Sequence, residues 1–278
     1  MNLNTYDWIV INTSAGKDSQ AMTDVVVEMA RTQGVPLSKL VMVHCDLGRV
    51  EWKGTKELAE QHAKHYGLRF EVVSRENDLL HQIEQRGMFP SSKARYCTSD
   101  HKRSQVYKLF TKLVAERNDW RKSHWRESLC GVEFGPIGKR PIHILNCMGI
   151  RAQESPARAK RLPFYRDGMA SNGKRHVDQW LPIHDWKLPQ VWERIKASGV
   201  PHHYAYDLGM PRLSCCFCIF APKPALLLAG KHNPELLAEY VRVENKIGHT
   251  LRVDQSLKAI QDELLAGATA GPVNDWKM

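Results

Sequence analysis

The chain has 278 residues, with 42% hydrophobic and 25% charged residues, which is ordinary for one large globular domain or for a core with an appended unit. No apolar run approaches the roughly 18 residues that a membrane-spanning helix needs, so we expect no membrane partner. The formal net charge of +10 suits a polyanionic partner, either nucleic acid or a nucleotide.

The first seven residues are polar and carry neither the basic stretch nor the apolar stretch of a secretory signal. We therefore expect a cytoplasmic protein. In that reducing compartment, an odd count of seven cysteines argues against a disulfide framework.

Apolar and helical segments alternate over the first 150 residues. Short apolar runs predict buried strands over residues 8–12, 40–45 and 142–148, and a further strand is predicted over residues 68–73. Helical spacing predicts helices over residues 21–30, 51–66 and 100–116, the second of them ended by Gly67. This alternation predicts an α/β fold, with a Rossmann-like parallel twisted sheet and helices on both faces.

The remaining segments are less regular. Residues 118–140 read as a basic loop that carries Trp120 and Trp125, two residues suited to stacking on bases. Residues 151–187 show little periodicity, and helices are predicted over 189–198, 234–248 and 254–266. We divide the chain into a nucleotide-binding core (1–150), a cysteine-containing and helical region that completes the site (151–266) and a flexible tail (267–278).

The segment Ser14-Ala15-Gly16-Lys17-Asp18-Ser19 joins the first predicted strand to the first helix. This position directs backbone N–H groups and a helix N-terminus at an anion. Gly16 permits close backbone approach or a positive φ angle, and Lys17 adds a charge. The spacing does not match the Walker A pattern, which disfavours a Walker-type ATPase.

The segment resembles the Ser-Gly-Gly-Lys-Asp-Ser signature of the PP-loop ATP pyrophosphatases, with Ala15 in place of the first glycine. The resemblance implies that residues 14–19 bind ATP with Mg²⁺. It also implies cleavage between the α- and β-phosphates, with Lys17 and Asp18 taking part in catalysis.

Four further segments resemble the phosphoadenylyl-sulfate reductase-like branch of that superfamily: Val43-His44-Cys45-Asp46-Leu47-Gly48, Arg95-Tyr96-Cys97-Thr98 before Lys102-Arg103, Gly149-Ile150-Arg151-Ala152-Gln153-Glu154-Ser155, and Pro182-Ile183-His184-Asp185-Trp186. The resemblance implies that His44 and Asp46 lie near the adenosine. It implies that Cys97 lies near the active site, and that Arg151 contacts phosphate or adenylate.

The branch's C-terminal Glu-Cys-Gly-Leu-His segment, which carries the cysteine that attacks sulfate, is absent from this sequence. The chain is therefore closest in character to the DNA phosphorothioation proteins of the Dnd and Ssp systems. That likeness implies a cysteine desulfurase as sulfur donor, other DNA-modification subunits as partners and a nucleic-acid acceptor, with DNA preferred to tRNA.

Cysteines crowd into Cys215-Cys216-Phe217-Cys218. With Cys97, the pair Cys215 and Cys218 suits a 4Fe–4S cluster or a persulfide relay. Zinc, with His202 or His203 as a fourth ligand, a redox dithiol and a purely structural role stay open. Cys45 and Cys147 read as small hydrophobic residues on buried strands.

These features give one mechanistic hypothesis. An acceptor oxygen attacks the α-phosphate of ATP, pyrophosphate leaves, and sulfur delivered through Cys97 or the Cys215/Cys218 centre displaces AMP. Lys17 and Arg151 stabilise the developing charge. The alternatives are a phosphoadenylyl-sulfate or adenylyl-sulfate reductase, a tRNA thiolase, and a non-catalytic nucleotide-binding partner of a desulfurase.

Overall fold

A computed structural model describes residues 1–127, 140–273 and Trp276, with the backbone alone for residues 121–127. Cys130 and the side chain of Trp125 lie outside the described residues. Within those residues, no helix combines the length and the apolar character needed to cross a bilayer.

One sheet forms the centre of the molecule, and in the described part of the chain it has six strands in the order β3-β2-β1-β4-β6-β5. The strands are β1 (Trp8–Thr13), β2 (Leu40–Asp46), β3 (Arg69–Ser74), β4 (Ile142–Met148), β5 (Phe164–Arg166) and β6 (Arg175–Trp180). Neighbouring strands pair in parallel, except that β5 is antiparallel to β6. The predicted α/β class is confirmed, with one antiparallel edge strand that was not predicted.

Helices surround this sheet and continue beyond it. They are α1 (Lys17–Thr32), α2 (Thr55–Tyr66), α3 (Leu79–Arg86), the turn α4 (Tyr96–Thr98), α5 (Ser104–Glu127), α6 (Pro156–Ala159), α7 (Leu188–Ser198), α8 (Lys223–His232), α9 (Pro234–Ile247) and α10 (Leu257–Leu265). A π-helical stretch, Ser99–Arg103, joins α4 to α5.

Both faces of the sheet are covered, as predicted. Ile9 and Ile11 pack in one apolar cluster with side chains of α1 and α2, whereas Val10 packs in another cluster with side chains of α5. This alternation follows from the two-residue period of a strand. Burial on both sides explains why the first strands read as continuous apolar runs.

The structure corrects several predicted elements. Residues 151–187 are not merely irregular, because they contain β5 and β6 and so extend the sheet beyond residue 150. The second helix begins at Thr55 and not at residue 51, since Trp52 is buried in the core and Gly54 takes a positive φ of 82° before the helix. Helix α5 continues to Glu127, so the predicted loop from residue 118 begins as helix.

The C-terminal helices form a second core beside the carboxyl ends of the first strands. Helices α8, α9 and α10 share one apolar cluster with Trp52, Leu79 and the cysteine segment, of which Cys216 and Phe217 are buried. Part of the tail packs here as well. Val273 is buried, and its N–H donates to the carbonyl of Gly209 at 3.0 Å.

The backbone after β4 lies against the start of α1. A Cβ atom placed on Gly149 would lie 2.7 Å from the backbone carbonyl of Asp18 and 2.8 Å from the nitrogen of Ser19. Real Cβ atoms do not approach backbone so closely. Glycine at position 149 therefore sets the distance between β4 and the helix after residues 14–19, the segment predicted to bind phosphate and here called the phosphate loop.

Gly149→Ala should lower the free energy of unfolding by about 2 kcal/mol, because the added methyl overpacks two backbone segments that cannot yield. Urea denaturation measures this loss. Gly173→Ala is the matched control, since a Cβ at Gly173 would meet no atom within 4 Å. Equal stability of the two variants would contradict the close approach.

Candidate active site

The candidate site lies where the strand order of the sheet changes direction. Strands β2 and β3 lie on one side of β1, and β4 lies on the other. In open α/β sheets, ligands bind outside the carboxyl ends of the strands at such a point. The segment Ser14–Ser19, which follows β1, and the segment Gly149–Arg151, which follows β4, therefore meet at the expected position.

The loop reaches α1 through an unusual backbone at Ala15. Ala15 has a φ of +53°, which makes it the one non-glycine residue with a positive φ in the described part of the chain. Gly16, for which a positive φ was one of the two predictions, has a φ of −81°. A Cβ at Gly16 would lie 3.3 Å from Ser14 Oγ and 3.4 Å from Tyr206 Oη, so close approach explains this glycine.

Three N–H groups of the loop donate to hydroxyl groups. Those of Ser14 and Ala15 donate to the hydroxyls of Ser19 (3.3 Å) and Thr13 (3.1 Å). The N–H of Lys17, at the start of α1, donates to the hydroxyl of Tyr206 at 2.8 Å. Tyr206 thus supplies an oxygen at the helix N-terminus, where an anion would bind.

Three charged side chains of the site form one buried group. Asp18 lies between Lys17, whose Nζ is 3.1 Å from Oδ2, and Arg151, whose Nε is 2.5 Å from Oδ1. Burial alone would raise the pKa of Asp18, but the charges of Lys17 and Arg151 hold it below its ordinary value. The structure therefore brings three predicted residues together, with both cations directed at a carboxylate.

His44 lies beside the loop, whereas Asp46 is engaged elsewhere. His44 is buried, with Nδ1 3.2 Å from the carbonyl of Thr13 and Nε2 3.2 Å from a carboxylate oxygen of Glu51. Asp46 accepts the N–H of Gly48 at 2.8 Å, and its other oxygen is 3.5 Å from Lys56 Nζ. Neither side chain lines the adjoining cleft.

That cleft joins the phosphate loop to the cysteines and encloses about 180 Å³. Its walls contain Ser14 together with Cys97, Cys215 and Cys218. Three cations, Arg95, Lys102 and Arg212, line it as well, as does the carboxylate of Glu51. Residues separated by two hundred positions in the sequence therefore share one concave site, in which cations outnumber anions among the charged residues.

The surroundings of Cys215 and Cys218 favour the protonated form of these two thiols. Burial raises the pKa of Cys215 well above its ordinary value, although the ammonium of Lys102 opposes that rise. Burial also raises the pKa of Cys218, against the opposing charge of Arg212. Both residues remain partly accessible from the cleft. Since the thiolate is the reactive and metal-binding form, added positive charge would be needed to generate it.

Sequence reasoning did not identify Arg95, Lys102, Arg212 or Tyr206 as site residues. Lys102 sits in the basic stretch after Cys97, and Arg212 precedes the cysteine segment by two residues, so nearness to a motif was an available signal. Tyr206 offered none, because its contact with Lys17 joins residues 189 positions apart.

The fold and the cleft place the chain in a class of α/β proteins. In this class a loop of the kind that binds anions follows a strand at the point where the strand order of the sheet changes direction. Residues 8–221 match the phosphoadenosine phosphosulfate reductase domain. The chain belongs to that family.

Two relatives of this chain are distant in sequence. A protein of Escherichia phage 186 is 27% identical over 189 residues, which cover 68% of this chain and 49% of the phage protein. A protein of Methanocaldococcus jannaschii is 25% identical over 260 residues, covering 92% of this chain and 50% of that protein. The chain spans about half the length of these two relatives.

A third relative carries a named activity. The adenosine 5'-phosphosulfate reductase of Allochromatium vinosum is 25% identical over 216 residues, covering 76% of this chain and 68% of the reductase. Among solved structures, phosphoadenylyl-sulfate reductase from Candida auris gives a TM-score of 0.45 at 14% identity, with 77% of this chain and 83% of that chain covered. That score describes a remote likeness.

The buried group predicts a pH-dependent stability. A carboxyl whose folded pKa is depressed contributes stability above its unfolded pKa of about 3.9, and this contribution is lost as the pH falls through the folded pKa. Asp18→Asn should cost about 3 kcal/mol at pH 7, because it leaves two buried cations without a counter-ion. The gap to wild type should narrow as the pH falls below about 5.

Urea denaturation at pH 7 and pH 3 measures that gap, because most of the loss falls below the unfolded pKa of about 3.9. Glu60→Gln, a change at an exposed position of α2, controls for the loss of one carboxyl group. A gap for Asp18→Asn that stays constant across this pH range would contradict the ion group.

Tyr206→Phe should lower the free energy of unfolding by about 1 kcal/mol, because the N–H of Lys17 loses its acceptor. If Tyr206 occupies an anion position, saturating pyrophosphate should reduce the deficit. Thermal unfolding with and without pyrophosphate measures both effects. Tyr204→Phe, at a residue that is 43% exposed, is the control. A deficit that pyrophosphate leaves unchanged would contradict this reading of the hydroxyl.

Proposed function

We propose that the chain uses ATP to activate an oxygen atom of a nucleic acid and then replaces that oxygen with sulfur. The observation that carries this proposal is the shared cleft, in which Ser14 of the phosphate loop faces the same space as Cys97, Cys215 and Cys218. An enzyme that activates and thiolates one atom needs both groups within reach of it.

The activation step uses the loop and the cations. ATP lies with its phosphates on Ser14–Ser19, and Mg²⁺ neutralises phosphate oxygens. Lys17 and Arg151 exchange part of their contact with Asp18 for the nucleotide, while Arg212 and Lys102 stabilise charge from the cleft walls. An acceptor oxygen attacks the α-phosphorus, the bond to the bridging oxygen breaks, and pyrophosphate leaves. The acceptor is then joined to AMP.

The sulfur step uses the thiols. A persulfide on one of the three cysteines, loaded by a cysteine desulfurase, attacks the activated acceptor atom, and AMP leaves with the acceptor's oxygen. A neighbouring thiol then attacks the sulfur that the cysteine still holds, which frees the thiolated product and forms a disulfide. An external thiol reductant must supply two electrons to reopen that disulfide.

An iron–sulfur cluster is compatible with the same residues. The three thiols that line the cleft are soft ligands of the kind that bind iron–sulfur clusters. Among the described residues, no three His, Cys, Asp or Glu side chains lie close enough together to hold a single metal ion. Cys97, Cys215 and Cys218 would hold a 4Fe–4S cluster, which would supply redox chemistry when bound. Cluster binding would also displace the thiol protons that burial retains.

We propose DNA as the acceptor, in keeping with the motif resemblance to Dnd and Ssp proteins, and DNA-modification subunits as partners. The net charge of +10 supports a nucleic acid in general, because binding to its backbone depends on neutralised phosphates. With tRNA as acceptor the chemistry would be the same.

ATP labelled at the α-phosphate should yield AMP, with pyrophosphate as the second product, when the protein meets its acceptor. Lys17→Ala should reduce this turnover by at least a hundredfold, because the loop loses a cation aimed at the phosphates. Release of ADP and phosphate would refute the proposed cleavage.

The cysteines should act after activation. Cys97→Ser, Cys215→Ser and Cys218→Ser should each retain nucleotide-dependent adenylylation. At least two of them, those of the persulfide carrier and of the neighbouring thiol, should lose the thiolated product, which mass spectrometry detects. Cys216→Ala, a change at a buried residue outside the cleft, should keep both steps. Full sulfur transfer by all three serine variants would remove the thiols from the mechanism.

Reduction of adenylyl sulfate is the second candidate, favoured by the family and by the likeness to the Allochromatium vinosum enzyme. Sulfite released from adenylyl sulfate in the presence of a thiol, without added ATP, identifies this activity. Production of sulfite without any ATP-dependent AMP formation would favour reduction over sulfur insertion.

A further inference from the structure

A short basic and apolar segment borders the cleft on the side of β4 and β6. Residues 158–164, here called the rim, lie at the carboxyl edge of the sheet, because Phe164 pairs with Trp180 at the end of β6. Two contacts fix the rim in place. The N–H of Leu181 donates to the carbonyl of Pro163 at 2.8 Å, and His184 Nε2 lies 3.0 Å from the carbonyl of Arg158.

The rim is cationic and has unpaired charges. It contains Arg158, Lys160 and Arg161 and no acidic residue. Arg158 forms an ion pair with Glu154. Lys160 and Arg161 are exposed, and no carboxylate of the described residues lies within ion-pair distance of either. Their charges are therefore available to a partner.

The rim continues into the cleft. Glu154 joins Arg158 of the rim to Arg212, whose nitrogen is 3.5 Å from the second carboxylate oxygen, and Arg212 lines the cleft. Arg95 and Phe220 also line the cleft, and the guanidinium of Arg95 lies over the ring of Phe220, 5.1 Å from its centre. Cations of the rim and of the cleft therefore offer successive partners to a chain of negative charges.

Two exposed apolar side chains on the rim favour unpaired nucleic acid over a duplex. Leu162 is 65% exposed and Phe164 is 45% exposed, beside Lys160 and Arg161. The outer surface of a duplex presents mainly phosphates, which gain nothing from an exposed phenyl ring. Unpaired bases present flat apolar faces that stack on aromatic side chains.

We propose that the rim is a binding surface for unpaired nucleic acid. Lys160 and Arg161 neutralise phosphates, Leu162 and Phe164 contact bases, and the strand passes from the rim into the cleft. The choice of nucleic acid rests on the proposed function, whereas the preference for an unpaired strand follows from the rim itself.

Fluorescence anisotropy of a labelled 20-nucleotide DNA strand, with the matching duplex as competitor, tests the inference directly. Wild type should bind the single strand at least tenfold more tightly than the duplex. Phe164→Ala should weaken single-strand binding about tenfold without changing its salt dependence, because a stacking contact is lost and no charge is removed.

The double variant Lys160→Ala/Arg161→Ala should weaken binding and reduce the slope of log K against log salt by about 1.4, since two phosphate contacts are lost from a single strand. Arg31→Ala/Lys64→Ala removes the same charges from the last turns of α1 and α2 and is the matched control. Equal binding of strand and duplex, or a rim variant that behaves like its control, would overturn the inference.

Turnover of ATP to AMP, measured on the same proteins, separates the two proposals. Selective binding of the single strand that depends on the rim, in a protein that makes no AMP, would refute the proposed function but support the inference about the rim. AMP formation by a protein whose rim variants bind DNA normally would refute only the inference about the rim.

Discussion

The site depends on one buried carboxylate. Asp18 holds Lys17 from its own helix and Arg151 from the segment after β4, so it ties the phosphate loop to the far side of the switch point. Gly149 makes the contact possible, because only a residue without a side chain lets the two backbones approach so closely. Without this group, two buried cations would repel each other at the position where phosphates are proposed to bind.

The same arrangement gives the cleft its chemistry. In this state three amides of the loop donate to Ser19, Thr13 and Tyr206, and Lys17 and Arg151 are both paired with Asp18. A triphosphate would replace these contacts with stronger, charge-assisted ones. Burial raises the pKa of the Cys215 and Cys218 thiols, so added positive charge in the cleft would favour their reactive thiolate form.

Much of this could be predicted from short stretches of sequence. Strands β1 to β4 were predicted closely. Strands β1, β2 and β4 are largely buried and mainly apolar, whereas β3 is only partly buried and was found from Phe70, Val72 and Val73. Strand β6 was missed, since two of its buried positions carry Arg175 and Gln179, whose polar atoms bond to backbone and side chains inside the protein. The loop and the cysteines were found from local motifs. The contact between Tyr206 and Lys17 could not be, because folding alone brings these residues together.

The central claim is that loop and thiols act on one atom of one substrate. An oligonucleotide with ¹⁸O at its non-bridging phosphate oxygens, supplied with ordinary ATP, tests this directly by mass spectrometry of the nucleotide product. The account predicts AMP that carries ¹⁸O from the acceptor, in step with the appearance of sulfur in the DNA. AMP without the label, or ADP as the product, would contradict it.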